Sequence, residues 1–187
     1  MREIIFSTGN STKFEVGDET LLAYDIQLIQ EPHDIDEIQS DDPEKIVKDK
    51  AARAFELIGK PLIVTDDSWS FSGLKGFPGA YMHYMNEWLS VEDFLRLTQP
   101  LEDRTATLTQ MLTYTDGTVA KTFRLDSPGQ ILKEARGESE FPNHQIITLD
   151  GDNGLSIAEV HALKSPKKEP RVAQIWHKFG TWLIDQD

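Results

Sequence analysis

The sequence predicts an α/β protein with a mixed central sheet and flanking helices. Segments with strand character alternate with segments of helical periodicity, a pattern typical of α/β folds. Two long strand-like segments also flank an Asp116-Gly117 turn, which indicates an antiparallel hairpin. A length of 187 residues fits one domain or one compact two-lobed unit, so we expect residues 1–187 to form a single domain.

The first half of the chain is predicted to contain three strands and two helices. We predict strands at 2–7, 25–30 and 61–65 and a first helix at 11–22. The second helix, 43–59, has the clearest signals, because Asp42 can cap it and Pro43 suits its first turn. Apolar residues recur along it at helical spacing, and Gly59 followed by Pro61 ends it.

The second half is predicted to contain the hairpin, a further strand and three helices. Glycines and Pro78 predict a tight loop over 73–79. Such a loop can let the backbone approach a ligand, but a purely structural turn is the more common explanation. We predict helices at 80–88, 90–97 and 168–184, hairpin strands at 104–115 and 118–132, a strand at 143–149 and a turn at 151–155.

Composition excludes several classes of function. A net charge of −13 argues against non-specific binding to nucleic acid or to an anionic membrane. The absence of cysteine excludes disulfides, thiolate metal sites and a cysteine nucleophile. No segment has the apolar length of a membrane span, and the N-terminus lacks signal-peptide features. We therefore expect a cytoplasmic protein without a nucleic-acid or membrane partner.

A polar turn after the first strand is the first candidate site. Ser7, Thr8, Gly9 and Asn10 connect that strand to a helix bearing Lys13. Backbone N–H groups at a helix start, together with hydroxyls and a lysine, suit a phosphate group. A simple capped turn is the alternative.

Two aspartates followed by a serine form the second candidate site. Asp66, Asp67 and Ser68 follow the apolar segment 61–65, and ligands of open α/β sheets lie beyond the carboxyl ends of strands. The two carboxylates can hold a hard cation together, or one can hold it while the other takes a proton from water. An acidic turn that caps the next segment is the alternative.

The pairing of Glu37 with Lys50 is the third candidate site. Glu37 lies in an acidic stretch whose alternative interpretation is a solvated loop. Lys50 lies at the flank of the apolar stripe of its helix, where it can either reach a ligand or extend over the core.

The C-terminal third offers weaker signals. Phe141 can stack on a base, and Lys164 and Arg171 can face phosphate or base oxygens. For most of the local lysines a solvated helix start is the favoured interpretation. Trp176 and Trp182 are interpreted as packing residues. His33, His161 and His177 show no metal-ligand spacing.

The order of these motifs resembles that of the inosine/xanthosine triphosphate pyrophosphatase family. The match consists of STGN with a following lysine, a glutamate, a helix lysine, a strand with DDS, and GFPGAY. It continues more weakly through RTATLTQML at 104–112, SIAEV at 156–160 and Arg171. The resemblance implies an elongated fold of two lobes around a cleft, a homodimer, and magnesium-dependent hydrolysis of nucleoside triphosphates to monophosphate and pyrophosphate. Mn²⁺ is an alternative metal.

The resemblance also implies roles for individual residues. The triphosphate would be bound by Thr8, Gly9, Asn10 and Lys13, with Lys50 neutralising phosphate charge and Ser68 supporting the DDS turn. Glu37 and Asp66 would hold the metal, with Asp67 beside it as the residue that activates water. Phe141, Lys164 and Arg171 would contact the remainder of the substrate.

Two stretches depart from the family pattern. Where the family has an aromatic residue and an aspartate after the stacking phenylalanine, this chain has Asn143 and His144. Where the family has serine, histidine and arginine, it has Glu169, Pro170 and Arg171. A changed base pocket predicts a relaxed or redirected base preference. A nucleotide-binding or sensing module with little turnover, and a purely structural protein, are the alternative functions.

Overall fold

The computed structural model describes residues 1–163 and 170–186, which form a mixed α/β fold as predicted. The strands among these residues are β1 (Arg2–Phe6), β2 (Ile26–Gln30), β3 (Leu62–Phe71), β4 (Pro78–Gly79), β5 (Thr105–Thr115), β6 (Ala120–Ile131) and β7 (Ile147–Leu149). The helices are α1 (Ser11–Leu22), α2 (Pro43–Ile58), α3 (Met82–Trp88), α4 (Val91–Thr98), α5 (Pro142–Ile146), α6 (Ile157–Ala162) and α7 (Ala173–Ile184).

The strands form one sheet with both parallel and antiparallel pairs. The strand order is β2-β1-β3-β5-β6-β7, and the short β4 pairs with β3. Strand β1 runs parallel to β2 and to β3, whereas β4 is antiparallel to β3 and β7 is antiparallel to β6. The predicted mixed sheet is therefore confirmed.

The chain divides into two compact units. The first comprises Met1–Asp66, Gln110–Leu125 and the described residues from 170 onward. Its main core surrounds Trp176, whose ring meets that of Phe6 edge-on with centroids 5.1 Å apart. Trp182 also packs against this core, so the interpretation of both tryptophans as packing residues is confirmed.

The second unit comprises Asp67–Thr109 and the described residues from 126 to 163. Its core includes Phe71, Phe94 and Ile146, all shielded from solvent. Arg104 connects the ends of α4 and β6, because its guanidinium donates to the backbone carbonyls of Thr98 and Ile131 at 2.7 and 2.8 Å.

Local capping explains the best-predicted elements. Asp42 caps α2 by accepting the Glu44 N–H, and Gly59 ends the helix with a φ of +66°. At the hairpin turn the Asp116 carboxylate accepts two backbone N–H groups at 2.8 Å, and Gly117 has a φ of +87°. The Asp-Gly turn and the two long strands around it are confirmed.

Three element predictions were wrong. Residues 143–146 belong to helix α5, since Pro142 starts a helical turn, and only Ile147–Leu149 form a strand. Strand β3 does not end at residue 65 but continues to Phe71. Helix α7 begins at Ala173, since the described residues 170–172 are not helical, whereas residues 168 and 169 of the predicted helix lie outside the described residues.

Besides α5, helix α6 was not predicted either. Its signal was present in the sequence as a capping box, in which the Ser156 side chain accepts the Glu159 N–H and the Glu159 carboxylate accepts the Ser156 N–H.

Candidate functional site

The turn between β1 and α1 is organised by its own side chains. The Asn10 Oδ1 accepts the Lys13 N–H at 2.9 Å, and the Thr8 Oγ1 accepts the Asn10 N–H at 3.1 Å. The space above Gly9 is open, because a Cβ added there would meet no atom within 4 Å. The turn thus presents exposed backbone at the start of a 12-residue helix, which suits an anionic group.

The neighbouring strand β2 supports this turn. Gln30 donates its amide N–H to the Thr8 carbonyl at 3.1 Å. Ser7 is buried at the base of the turn, and Lys13 is half-buried on the first turn of α1. The four residues predicted to bind phosphate therefore lie together in one local structure.

Asp66, Asp67 and Ser68 lie within β3 and not in a turn after it. Both carboxylates are half-buried, and Ser68 is buried. Residues 65–67 are all half-buried, so burial does not alternate along this part of β3 and both aspartates keep access to solvent.

Glu37 and Lys50 are brought together by the fold. The Lys50 Nζ donates to the Glu37 Oε1 at 2.5 Å, across 13 positions of the chain. The Lys50 side chain is 20% exposed and that of Glu37 is 43% exposed, so water still reaches the pair. Since exposed ion pairs contribute at most about 1 kcal/mol to stability, this pair is not needed to hold the fold.

The glycine-rich loop after β3 has a structural explanation. A Cβ on Gly73 would lie 2.4 Å from the backbone carbonyl oxygen of Asp103, so only glycine fits there. Gly76 and Gly79 adopt φ angles of +95° and +59°, which favour glycine. The turn interpretation of this loop is confirmed.

Phe141 and His144 lie close together at the start of α5. The Phe141 ring is 42% exposed, and its centroid lies 5.1 Å from that of His144. His144 in turn meets His161 of α6 nearly perpendicularly, with centroids 5.4 Å apart. The Ser139 Oγ accepts the Phe141 N–H at 3.1 Å and lies 3.3 Å from the His144 Nδ1.

Sequence reasoning missed this cluster. Phe141 and His144 are three positions apart, which places them on one face only if the segment is helical, and Pro142 was the signal for that helix. Nothing in the sequence indicated the contact with His161, which comes from a separate helix.

Burial and the neighbouring His161 lower the pKa of His144 from 6.5 to about 4. The folded protein therefore keeps this ring neutral at a pH where the unfolded chain takes up a proton. We expect the free energy of unfolding to fall as the pH drops from about 6.5 to about 4, by less than about 3 kcal/mol from this residue. Above about pH 6.5 this contribution is constant.

Urea unfolding of the wild type and of His144→Gln at about pH 7.5 and about pH 5 measures this contribution. The variant is expected to lose less stability on acidification than the wild type. Equal losses in the two proteins would contradict the assignment.

Of the two basic candidates in the C-terminal third, the structure describes only Arg171. Arg171 is half-buried just before α7. Lys164 lies outside the described residues. Across residues 1–163 and 170–186, no group of three acidic or histidine side chains is arranged to hold a metal ion. Over the same residues, no helix is both long enough and apolar enough to span a membrane.

The sequence profile described as the Ham1 family matches residues 4–171. The chain belongs to the Ham1 family. Among similar proteins, one named dITP/XTP pyrophosphatase from Saccharolobus solfataricus is 31% identical over 176 residues, covering 94% of this chain and 91% of that protein. A protein named inosine triphosphate pyrophosphatase from Candida glabrata is 31% identical over 165 residues, covering 84% and 85% of the two chains.

Solved Ham1 structures share the fold. A HAM1 protein from Coxiella burnetii superposes with a TM-score of 0.81 at 20% identity, covering 99% of this chain and 100% of that chain. The Staphylococcus aureus Ham1 protein gives a TM-score of 0.79 at 20% identity, with both chains covered completely. The predicted family membership and α/β fold are confirmed.

Proposed function

We propose that this protein hydrolyses nucleoside triphosphates, with non-canonical purine nucleotides as the substrate class, to nucleoside monophosphate and pyrophosphate. The observation that carries the proposal is the match of nearly the whole chain to relatives named dITP/XTP pyrophosphatase. In support, residues 7–13, the Glu37–Lys50 pair and residues 66–68 carry polar groups, charges and carboxylates of the kinds that would bind phosphate and activate water.

The triphosphate is proposed to bind at the turn before α1. Exposed backbone around Thr8, Gly9 and Asn10 would contact phosphate oxygens, while Lys13 and Lys50 would neutralise their charge. Lys50 would then exchange its contact with Glu37 for one with phosphate. This exchange costs little, because the ion pair is partly exposed.

The chemistry of the acidic residues fits a divalent metal. Mg²⁺ prefers carboxylate oxygens and is commonly bound by one or two carboxylates plus substrate phosphates, so a complete protein cage is not required. Glu37 and Asp66 would hold the ion, with Asp67 close to it, and Mn²⁺ would be an alternative. When bound, the metal would stabilise negative charge on the phosphates.

Asp67 is proposed to activate the attacking water. Its carboxylate would accept a proton from water as the water oxygen bonds to the α-phosphorus. The bond between the α-phosphorus and the oxygen that it shares with the β-phosphate would then break. The leaving pyrophosphate carries the electron pair of that bond. Ser68, the buried neighbour of Asp67, would support the local backbone.

The remaining substrate contacts and the assembly also belong to the proposal. Phe141 would stack on the base, and Lys164 and Arg171 would contact base or phosphate oxygens. Residues 1–187 would act as one two-lobed domain in a cytoplasmic homodimer, as the resemblance implies. The net charge of −13 supports the absence of a nucleic-acid partner.

Pyrophosphate release with Mg²⁺ tests the function directly. The panel contains ITP, XTP, dITP and the standard triphosphates, and it is repeated with Mn²⁺. Release from one or a few of them is the expected result. No release at high protein concentration, combined with ligand-induced thermal stabilisation, would instead establish a nucleotide-binding module.

Phe141→Ala is expected to weaken substrate binding, since stacking of a base on an aromatic ring contributes about 1–3 kcal/mol. KM should therefore rise by roughly 5- to 150-fold while kcat changes little. Tyr84→Ala is a matched control, because Tyr84 is likewise 42% exposed. An unchanged KM in Phe141→Ala would remove this ring from the substrate site.

A further inference from the structure

The turn before α1 connects elements that are anchored to one another. Strand β2 ends at Gln30, which lies beside Phe6 in the parallel ladder with β1, and the Glu31 N–H donates to the Phe6 carbonyl at 3.1 Å. Helix α1 is held against the same strand, because the Asp18 Oδ1 accepts the Leu28 N–H at 2.9 Å. Both ends of the turn are therefore fixed, and its remaining freedom lies in the peptide groups between them.

Three backbone N–H groups of this turn make no hydrogen bond to any residue that the structure describes. They belong to Gly9, Ser11 and Thr12. The last two are the first N–H groups of α1, which a helix leaves without an internal partner and directs along its axis. The direction of the Gly9 N–H depends instead on the peptide group that joins Thr8 to Gly9.

Gln30 fixes that peptide group. Its side-chain amide donates to the Thr8 carbonyl at 3.1 Å, so this carbonyl faces β2. The peptide bond is trans, and a planar trans peptide directs its C=O and its N–H to opposite sides. The Gly9 N–H is therefore directed away from β2, at an exposed position of the turn.

Without this hydrogen bond the peptide group would rotate at low cost. Glycine adopts positive and negative φ angles about equally readily, so Gly9 offers little resistance to a rotation of the peptide before it. Rotation would turn the Thr8 carbonyl towards the side on which the phosphate is proposed to bind. The partial negative charge of a carbonyl oxygen repels a phosphate, whereas a backbone N–H attracts it.

We propose that Gln30 is a positioning residue, which holds the Thr8 carbonyl towards β2 so that the Gly9 N–H faces the phosphate. This inference rests on the proposed function and assigns a role to a side chain that acts through the turn and does not itself touch the substrate. Loss of the Gln30 amide is expected to weaken phosphate binding through a change at Gly9, without any change in the charge of the site.

Binding of inorganic pyrophosphate with Mg²⁺ tests the inference without relying on turnover, because pyrophosphate carries no base and is a product of the proposed reaction. Nuclear magnetic resonance on protein with isotope-labelled glycine gives Kd and the shift of the Gly9 amide signal in one titration. The signal that disappears in Gly9→Ala identifies Gly9.

Gln30→Met removes the donor, because methionine is uncharged and about as long as glutamine but has no N–H in its side chain. In the wild type the Gly9 signal is expected to move downfield as its N–H donates to the anion. In Gln30→Met this shift is expected to decrease, and Kd is expected to rise about ten-fold, the usual effect of losing one hydrogen bond to a charged group.

Gln27→Met is the matched control, because Gln27 is exposed on the same strand, and it should leave Kd and the Gly9 signal unchanged. A wild-type Gly9 signal that pyrophosphate does not move, or an unchanged Kd in Gln30→Met, would overturn the role of Gln30. A higher Kd with an undiminished Gly9 shift would also overturn it, because Gln30 would then act on another group.

The expected changes without pyrophosphate release from any nucleotide would overturn only the proposed reaction. Thermal unfolding verifies that each variant is folded before its Kd is interpreted, and Gln30→Ala takes the place of Gln30→Met if methionine prevents folding.

Discussion

Asp67→Asn is expected to lower kcat for pyrophosphate release by about 10²- to 10⁴-fold, the usual contribution of a general base. Asparagine has nearly the shape of aspartate but cannot accept the proton of the attacking water. Substrate binding should persist, because the proposed phosphate contacts at Thr8, Asn10 and Lys13 are unchanged. Steady-state kinetics with the best substrate of the panel measures both parameters, and KM is expected to stay close to that of the wild type.

Controls identify the origin of the loss. Asp41→Asn makes the same chemical change at an exposed position and should leave kcat unchanged. Asp66→Asn should mainly raise the Mg²⁺ concentration needed for half-maximal activity, because Asp66 is assigned to the metal. Near-normal kcat in Asp67→Asn would show that another group activates the water.

The placement of Asp66 and Asp67 shows one limit of sequence interpretation. The polar run at 66–68 interrupted the apolar pattern, so the strand was predicted to end at Thr65. The apolar signal resumes with Trp69 and Phe71, both buried, and β3 continues through the interruption. Polar residues within a strand are tolerated where function or a change of environment requires them, and a local pattern does not distinguish this from a turn.

Local signals predicted an element correctly where the sequence itself contains the residues that begin and end it. Asp42, Pro43 and Gly59 fix the two ends of α2, and Asp116 with Gly117 fixes the hairpin. Each signal depends on residues close in sequence, so the local structure that it favours does not require tertiary packing.

Contacts between residues far apart in sequence were harder to predict. The sequence pairs Glu37 with Lys50 as one candidate, but the 2.5 Å contact between their side chains depends on the irregular segment before α2. The contact of His144 with His161 depends on how α5 and α6 pack, which no local pattern encodes. Candidate residues can thus be proposed from sequence, whereas their mutual geometry requires the fold.

Trp176→Ala is expected to destabilise the protein by about 3–5 kcal/mol, a large fraction of the roughly 5–15 kcal/mol available to a typical domain. The indole is 1% exposed and meets Phe6 edge-on at 5.1 Å. It also fills the space left by Gly17, where a Cβ would lie 2.7 Å from the Cζ2 of Trp176. Removing the indole leaves a cavity that the surrounding side chains cannot fill completely.

Chemical denaturation followed by far-UV circular dichroism measures this loss, with Trp88→Ala as the matched control. Trp88 is 72% exposed, so its truncation should change the free energy of unfolding by no more than about 0.5 kcal/mol. The comparison separates burial from residue type, because the same atoms are removed in both variants. A loss in Trp176→Ala no larger than the loss in Trp88→Ala would contradict the assignment of Trp176 to the core.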